Sequence, residues 1–357
     1  MKTDLLTRIL ISSVRLTASR GSCKKTAGTA VTRKSLKIML DRNKNSLKYT
    51  ALLVLVIQTT TLVLILRYSR TVNVETNRYL SSTVIMVAEF LKLIICLVVM
   101  VIKSGDVMSV VREINSEIIL KPLETSKLLI PSGLYTIQNN LLFLALSNLD
   151  AATYQVTYQM KILVTALFSV FLLNKRLVAT QWIALLFLMA GVSLVQWPNE
   201  EEVSASSANV DNSNKLIGLL AVFICCISSG FSGVYFEKLI KSTSQSIWIR
   251  NCQMSLFGFL LGTAAVVFQD FTIIRLHGFF QGYNLITWIV ICLHAGGGIV
   301  VALVMKYADN ILKGFATSVS IVLSTIFSYC LLQDFTPSLT YFIGASIVIF
   351  STILYSL

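Results

Sequence analysis

The sequence predicts an all-α membrane protein of ten transmembrane helices, built as two inverted five-helix repeats. Three observations carry that expectation. Of 357 residues, 55% are hydrophobic and only 13% charged, with a mean hydropathy of +0.75; soluble domains average about 25% charged. The apolar residues gather into ten windows, each near the ~20 residues that cross a bilayer core. The chain also matches itself at an offset of 159 residues, the length of five windows.

The windows are 49–66, 79–102, 126–147, 151–173, 180–197, 215–236, 246–268, 286–305, 311–333 and 337–356. Two neighbouring pairs are separated by only a short polar turn with one Asp. These turns are Ser147-Asn148-Leu149-Asp150 and Lys306-Tyr307-Ala308-Asp309-Asn310. The chain therefore divides into a basic tail (1–46), a first repeat (47–198), an acidic loop (199–214) and a second repeat (215–357).

Charge sets the orientation. With the N-terminus on side one, that side collects 23 of the 30 Lys and Arg and side two collects five; Lys92 and Lys161 lie inside spans. Basic residues stay cytosolic during insertion, so both termini are expected in the cytosol. Side two carries Glu200, Glu201, Glu202 and Asp211 on short loops without an N-x-[ST] sequon, unlike a receptor ectodomain.

Residues 1–48 hold twelve Lys and Arg against Asp4 and Asp41. This segment reads as a retained cytosolic tail, solvated or drawn to anionic lipid. Its Arg-rich, Ser/Thr-rich, acid-poor composition also fits a mitochondrial transit peptide. The seven cysteines (23, 96, 225, 226, 252, 292 and 330) form no CxxC pair and lie mostly in apolar runs, so packing is expected of them rather than disulfides or zinc.

At the 159-residue offset, 148–174 lies on 307–333 with six identities, among them Asp150/Asp309, Ile162/Ile321, Phe168/Phe327 and Ser169/Ser328. Five is an odd number of crossings, so the halves have opposite orientation. Inverted repeats with a midplane site are the architecture of alternating-access carriers.

Four spans carry polar stripes. Tyr154, Thr157, Tyr158, Lys161 and Thr165 share one face of span 4 at 100° per residue. Span 3 gives Pro131, Tyr135, Gln138, Asn139 and Leu142; span 6 gives Ser228, Ser229, Ser232 and Tyr235; span 9 gives Thr317, Ser320, Ser324 and Ser328. Such stripes either surround a wet cavity or hold helices together. A lysine near mid-span costs about 2.5–3.5 kcal/mol on insertion scales, so Lys161 is expected to face a cavity or a partner. Glu89 and Lys92 are three residues apart and can neutralise each other. Lys161 has no acid in its own helix, which suits an anionic ligand. Gly296-Gly297-Gly298 and Ser229-Gly230-Phe231-Ser232-Gly233 provide small surfaces for close helix approach.

Several classes are excluded or disfavoured. No G-x-x-x-x-G-K-[ST] is present, so transport would draw on exchange or an ion gradient. A multi-span enzyme would need paired carboxylates or a His cluster; there is no D-x-D or H-E-x-x-H, only His277 and His294, and Glu89 is the one acid within a window. A channel or signalling receptor fits the matched halves and isolated lysine less well than a carrier.

The stretch 135–170 (YTIQNNLLFLALSNLDAATYQVTYQMKILVTALFSV), with SSGFSGVYFEKLIK (228–241), IWIRN (247–251), GFFQGY (278–283) and KYADNILKGFATS (306–318), resembles the Golgi nucleotide-sugar transporters. The branch is that of the UDP-galactose, UDP-N-acetylglucosamine and CMP-sialic acid carriers, and the resemblance runs from about residue 47 to 356. It implies the drug/metabolite transporter fold and import of a nucleotide sugar in exchange for a nucleoside monophosphate, with no cofactor. RYLSST (78–83), SNLDAATYQ (147–155) and VQWP (195–198) look most like the UDP-N-acetylglucosamine carriers, so UDP-N-acetylglucosamine or UDP-galactose against UMP is expected ahead of CMP-sialic acid against CMP. By motif position, the resemblance implies that Glu89, Lys92 and Lys161 contact or organise the phosphates. It gives Gln138, Asn139, Tyr154 and Tyr158 to the nucleoside pocket, with Asn251 and Lys306 contributing from the second half. A Golgi or endoplasmic reticulum membrane is the implied location, and a second carrier or a glycosyltransferase a plausible partner.

Overall fold

A computed structural model describes residues 27–72, 79–149, 151–197, 212–243, 245–332 and 338–356. The chain forms two compact units, Met1–Leu47 and Lys48–Leu357. In the first, the described residues are helical; the second holds everything that follows. Residues 1–26, with Cys23, and most of the acidic loop, with Glu200–Glu202 and Asp211, lie outside the described residues, as does Asp150.

The described residues form helices joined by short turns. They are α1 (Ala27–Val72), α2 (Ser81–Ser104), α3 (Val107–Ile114), α4 (Pro122–Ser126), α5 (Leu129–Asn148), α6 (Ala151–Tyr158) and α7 (Met160–Leu173). There follow α8 (Ala179–Val195), α9 (Asn212–Ser242), α10 (Ile247–Gln269), α11 (Phe271–His277), α12 (Leu285–Tyr307), α13 (Asn310–Phe327) and α14 (Leu339–Ser356). Local sequence explains several ends. Gly105 closes α2 at φ 74, with its N–H on the Val101 carbonyl. Asp309 starts α13 by accepting from the Leu312 N–H at 2.8 Å, and Asn284 does the same for Thr287 at the start of α12.

Among the described residues, eight helices are long and apolar enough to cross a membrane. The 17-residue α8 is apolar but shorter, and α5 carries the polar run Gln138-Asn139-Asn140. Span 4 stands as one crossing, Thr153–Leu173, with a one-residue irregularity at Gln159 between α6 and α7; the Gln159 side-chain amide donates to Gln196 Oε1 at 2.7 Å. One expectation needs correction. Span 6 runs past 236 to Ser242, which brings Glu237 into a helix as a second intramembrane acid.

Small residues set the closest crossings. A Cβ on Gly344 of α14 would lie 2.7 Å from the Val195 nitrogen of α8, and one on Gly191 would lie 3.0 Å from the Val348 nitrogen. Gly258 and Gly262 of α10 lie against Glu89 and Met86 of α2, and Gly230 and Gly233 of α9 against Val164 and Asn310. α9 also packs along α5 and α7. α1 meets α12 through Gln58 Nε2, which donates to the Leu293 carbonyl at 3.1 Å, and α13 through Thr60 and Ser320, whose hydroxyls are 3.0 Å apart. The four cysteines 96, 225, 226 and 252 are buried as free thiols; Cys292 and Cys330 are exposed.

Candidate functional site

A cavity of about 270 Å³ opens between α1, α7, α8, α9 and α13, lined in part by Thr59, Lys161, Thr165, Ser229, Asn310, Lys313 and Thr317. The polar stripes of spans 4, 6 and 9 thus meet there, one residue or more from each. The span 9 stripe divides: Thr317 lines the cavity, Ser320 bonds to Thr60, and Ser324 bonds back to Ile321 of its own helix.

Lys161 lies two residues after Gln159, in the first turn of α7. Its Nζ sits 4.0 Å from the centroid of the Tyr158 ring and has no carboxylate partner among the described residues. Tyr158 stacks on Tyr154, with ring centroids 5.5 Å apart at 17°. The Gln138 Nε2 donates to the Tyr158 hydroxyl at 3.0 Å, while the Gln138 Oε1 is buried without a partner among the described residues. Lys161, Tyr158, Tyr154 and Gln138 therefore form one continuous patch. The Asn139 side chain lies outside the described residues.

Lys92 Nζ donates to Glu89 Oε1 at 2.7 Å, and Lys92 is buried. The pair is wedged between glycines: a Cβ on Gly298 would lie 2.8 Å from Lys92 Cδ, and one on Gly258 2.7 Å from Glu89 Oε2. It does not line the cavity. The neighbouring Gly297 lies against Gln58, whose Oε1 is 3.4 Å from the Thr59 hydroxyl on the cavity wall. Asn251 and Lys306 are not brought to the cavity. Asn251 is buried and donates to the Ile247 carbonyl of its own helix at 3.1 Å, and Lys306 is exposed beside the Tyr307 ring. The motif's other charge, Arg250, is 1% exposed and ties α10 to the α3–α4 segment, with Gln253 Nε2 donating to the Thr125 hydroxyl at 3.0 Å beside it. Outside the membrane, Glu117 of that segment is held below the usual carboxylate range by hydrogen bonds from Lys121 and Gln245.

Two features of this region lie outside the polar stripes and charged pairs legible in the sequence. Lys313 shares the cavity with Lys161; continuing the span 9 stripe back from Thr317 by four residues would have reached it. The second is a buried ionic centre on side one. Glu237, fully buried, lies 3.0 Å from Lys175 and 2.7 Å from Lys241, and its Oε2 accepts from the Asn310 N–H at 2.8 Å. Asp309 faces the same Lys175 at 3.2 Å, and Lys241 donates to the Ala308 carbonyl at 2.6 Å. This centre joins the end of α9, the start of α13 and the turn after α7 beside the cavity wall.

Two lysines without a carboxylate partner among the described residues line the cavity, while the stacked Tyr154–Tyr158 pair and the Gln138 amide adjoin Lys161 outside that lining. No group of His, Cys, Asp and Glu suited to a metal ion occurs among the described residues. A family model described as nucleotide-sugar transporter matches residues 43–356. A UDP-N-acetylglucosamine transporter of Rattus norvegicus is 56% identical over 311 residues, covering 87% of this chain and 95% of the relative. A UDP-N-acetylglucosamine/UDP-N-acetylgalactosamine transporter of Caenorhabditis elegans is 50% identical over 317 residues, 87% of this chain and 94% of its own. The UDP-galactose translocator of Bos taurus is 46% identical over 312 residues, 87% of this chain and 78% of its own. One crystal structure matches 88% of this chain and 97% of its own with a TM-score of 0.60 at 15% identity, a likeness of fold alone.

Proposed function

This chain belongs to the nucleotide-sugar transporter family, and from that premise we propose that it carries a UDP-sugar across a Golgi membrane in exchange for UMP. As a member of that family it is a multi-pass membrane transporter and not an enzyme. The observation that carries the reading is the pair Lys161 and Lys313 on one cavity wall, neither paired with a carboxylate among the described residues. Two uncompensated ammonium groups in a low-dielectric site suit a ligand with a pyrophosphate.

The neighbouring patch suits the nucleoside. Tyr154 and Tyr158 offer a flat face for a base, and the free Gln138 Oε1 accepts from a pyrimidine N–H; Asn139 is assigned with it from the motif. The Glu89–Lys92 pair organises the site through Gly298, Gly297 and Gln58. Asn251 and Lys306 fall outside this assignment. UDP is favoured over CMP by the relatives, whose names are those of UDP-sugar carriers.

Transport proceeds by alternating access in a fold of ten spans and two inverted repeats. The packing supports this. Span 3 lies on span 6 and span 8 on span 1; span 4 lies on span 6 and span 9 on span 1; spans 2 and 7, and spans 5 and 10, pair with each other. Shifting every number by five returns the same set. The cavity of about 270 Å³ is below the ~300–1,000 Å³ of small-molecule pockets, so a whole nucleotide sugar calls for a more open state. Both termini face the cytosol, and the Glu237 centre closes that side. Exchange is preferred because an empty site, with its lysines uncompensated, reorients slowly.

The test is a proteoliposome panel. Vesicles preloaded with UMP should take up UDP-N-acetylglucosamine or UDP-galactose saturably, and far better than empty vesicles. Uptake confined to CMP- or GDP-sugars, or equal with and without UMP, rejects the reading.

A further inference from the structure

α13 presents one face to the cavity. Asn310, Ile311, Gly314, Thr317, Ser318 and Ile321 line it, and at 100° per residue they span about 120°, with Gly314 near the middle of that arc. The position aimed most directly at the cavity is therefore the one without a side chain. Backbone conformation does not call for glycine there: Gly314 lies inside a helix, and among the described residues the glycines at positive φ are Gly105, Gly278 and Gly282. Close helix packing does not call for it either. A Cβ on Gly314 would meet nothing within 4 Å among the described residues, unlike one on Gly233 or Gly344. Glycine is a poor helix former. What it does provide at this position is open space in the cavity.

The wall around that space accepts hydrogen bonds. Thr317 Oγ1 and Ser318 Oγ each donate to the Gly314 carbonyl, at 2.9 and 3.0 Å. With its one hydrogen so placed, each hydroxyl offers a ligand an acceptor oxygen. Lys161 and Lys313 line the same cavity, whereas the Tyr154–Tyr158 pair adjoins Lys161 outside that lining. A ligand with its base on the tyrosines and its pyrophosphate at the lysines therefore puts its remaining part, the sugar, into the cavity. A sugar brings the hydroxyl or amide donors that the two acceptors need.

We propose that this face of α13 is the sugar subsite, with Gly314 leaving room for the sugar ring and Thr317 and Ser318 accepting from its hydroxyl or acetamido groups. The inference rests on the UDP-sugar reading above and extends it to the end of the ligand that UMP lacks. Gly314 is then a specificity-determining position. It sets how well a nucleotide sugar competes with UMP, and it acts by clearance, not by contact with the shared nucleotide.

The test uses the purified full-length protein in liposomes preloaded with UMP and compares uptake of external UDP-N-acetylglucosamine, UDP-galactose and UMP. For each UDP-sugar that the unmodified protein takes up, Gly314→Ala should lower the ratio of UDP-sugar uptake to UMP uptake about tenfold, the effect of overfilling a fitted site. Gly314→Val should lower it further. Thr317→Val keeps the shape and removes an acceptor, so the ratio should fall about fivefold. Gly314→Ala should unfold no earlier on heating than the unmodified protein, because its methyl enters open space and alanine favours the helix. An unchanged ratio in the glycine variants or in Thr317→Val overturns the subsite, and so does early unfolding of Gly314→Ala. If the unmodified protein takes up UMP but neither UDP-sugar, the transport reading itself fails and the subsite with it.

Discussion

Lys161 Nζ lies 4.0 Å from the centre of the Tyr158 ring, so the buried ammonium is held by an aromatic face and not by a carboxylate. A cation–π contact in a desolvated site is worth about 2 kcal/mol. It steadies the lysine without cancelling its charge, which remains available to an anion. Lys161→Ala should cut exchange by at least about 30-fold, the loss expected when a desolvated charge pair loses one partner. The folded protein should persist, because no carboxylate is left unpaired. Exchange rates and thermal unfolding of the same preparation check both halves; wild-type exchange in the variant refutes the phosphate role.

Lys313→Ala should weaken exchange in the same way. Both lysines act on one pyrophosphate in the proposed site, so the double variant should lose less than the product of the single losses. Strict additivity in a double-mutant cycle would mean that the two lysines serve different parts of the cycle.

Glu237→Gln tests the ionic centre as a gate. Breaking a buried pair at one partner costs about 3–5 kcal/mol, and here that loss falls on the contacts that join α9, α13 and the turn after α7. With Ser318→Cys as a reporter on the cavity wall, the variant should label faster with a thiol reagent added on side one. Unchanged labelling would make the centre a scaffold only.

Glycine substitutions separate crowding from composition. A Cβ at Gly298 meets Lys92 Cδ at 2.8 Å, whereas one at Gly296 meets nothing within 4 Å. Gly298→Leu should disrupt the Glu89–Lys92 pair and stop exchange; Gly296→Ala should be silent. Equal effects in an exchange assay would reject the wedge.

The α3–α4 segment should loosen in acid. Glu117 is held below its usual range by Lys121 and Gln245, so its contribution is present at neutral pH. It is lost as pH falls below about 4.3 and through the depressed folded value. Hydrogen exchange across 107–126 should rise over that window, and Glu117→Gln should flatten the dependence.

The side-by-side placement of Tyr154, Tyr158 and Lys161 is legible because helical periodicity is a strong signal, and their phase survives the one-residue irregularity at Gln159. The bond from the Gln159 side chain to Gln196, thirty-seven residues away, is tertiary and leaves no local signal. Lys313 was overlooked because counting it with a charged turn took it off the face it shares with Thr317. Glu237 escaped because the apolar window ends at 236 while the helix continues to 242. Asn251 and Lys306 came from motif position alone, and side-chain phase on α10 and α12 takes them elsewhere.

The α8–α14 crossing has a mechanical consequence. With Gly191 and Gly344 bringing two backbones into direct contact, that pair has no room to slide and must travel as a single strut. Whatever motion shuttles cargo has to be taken up by the other helices hinging around it. A bulky residue at Gly344 would therefore register as protein missing from the membrane, not as a slower carrier.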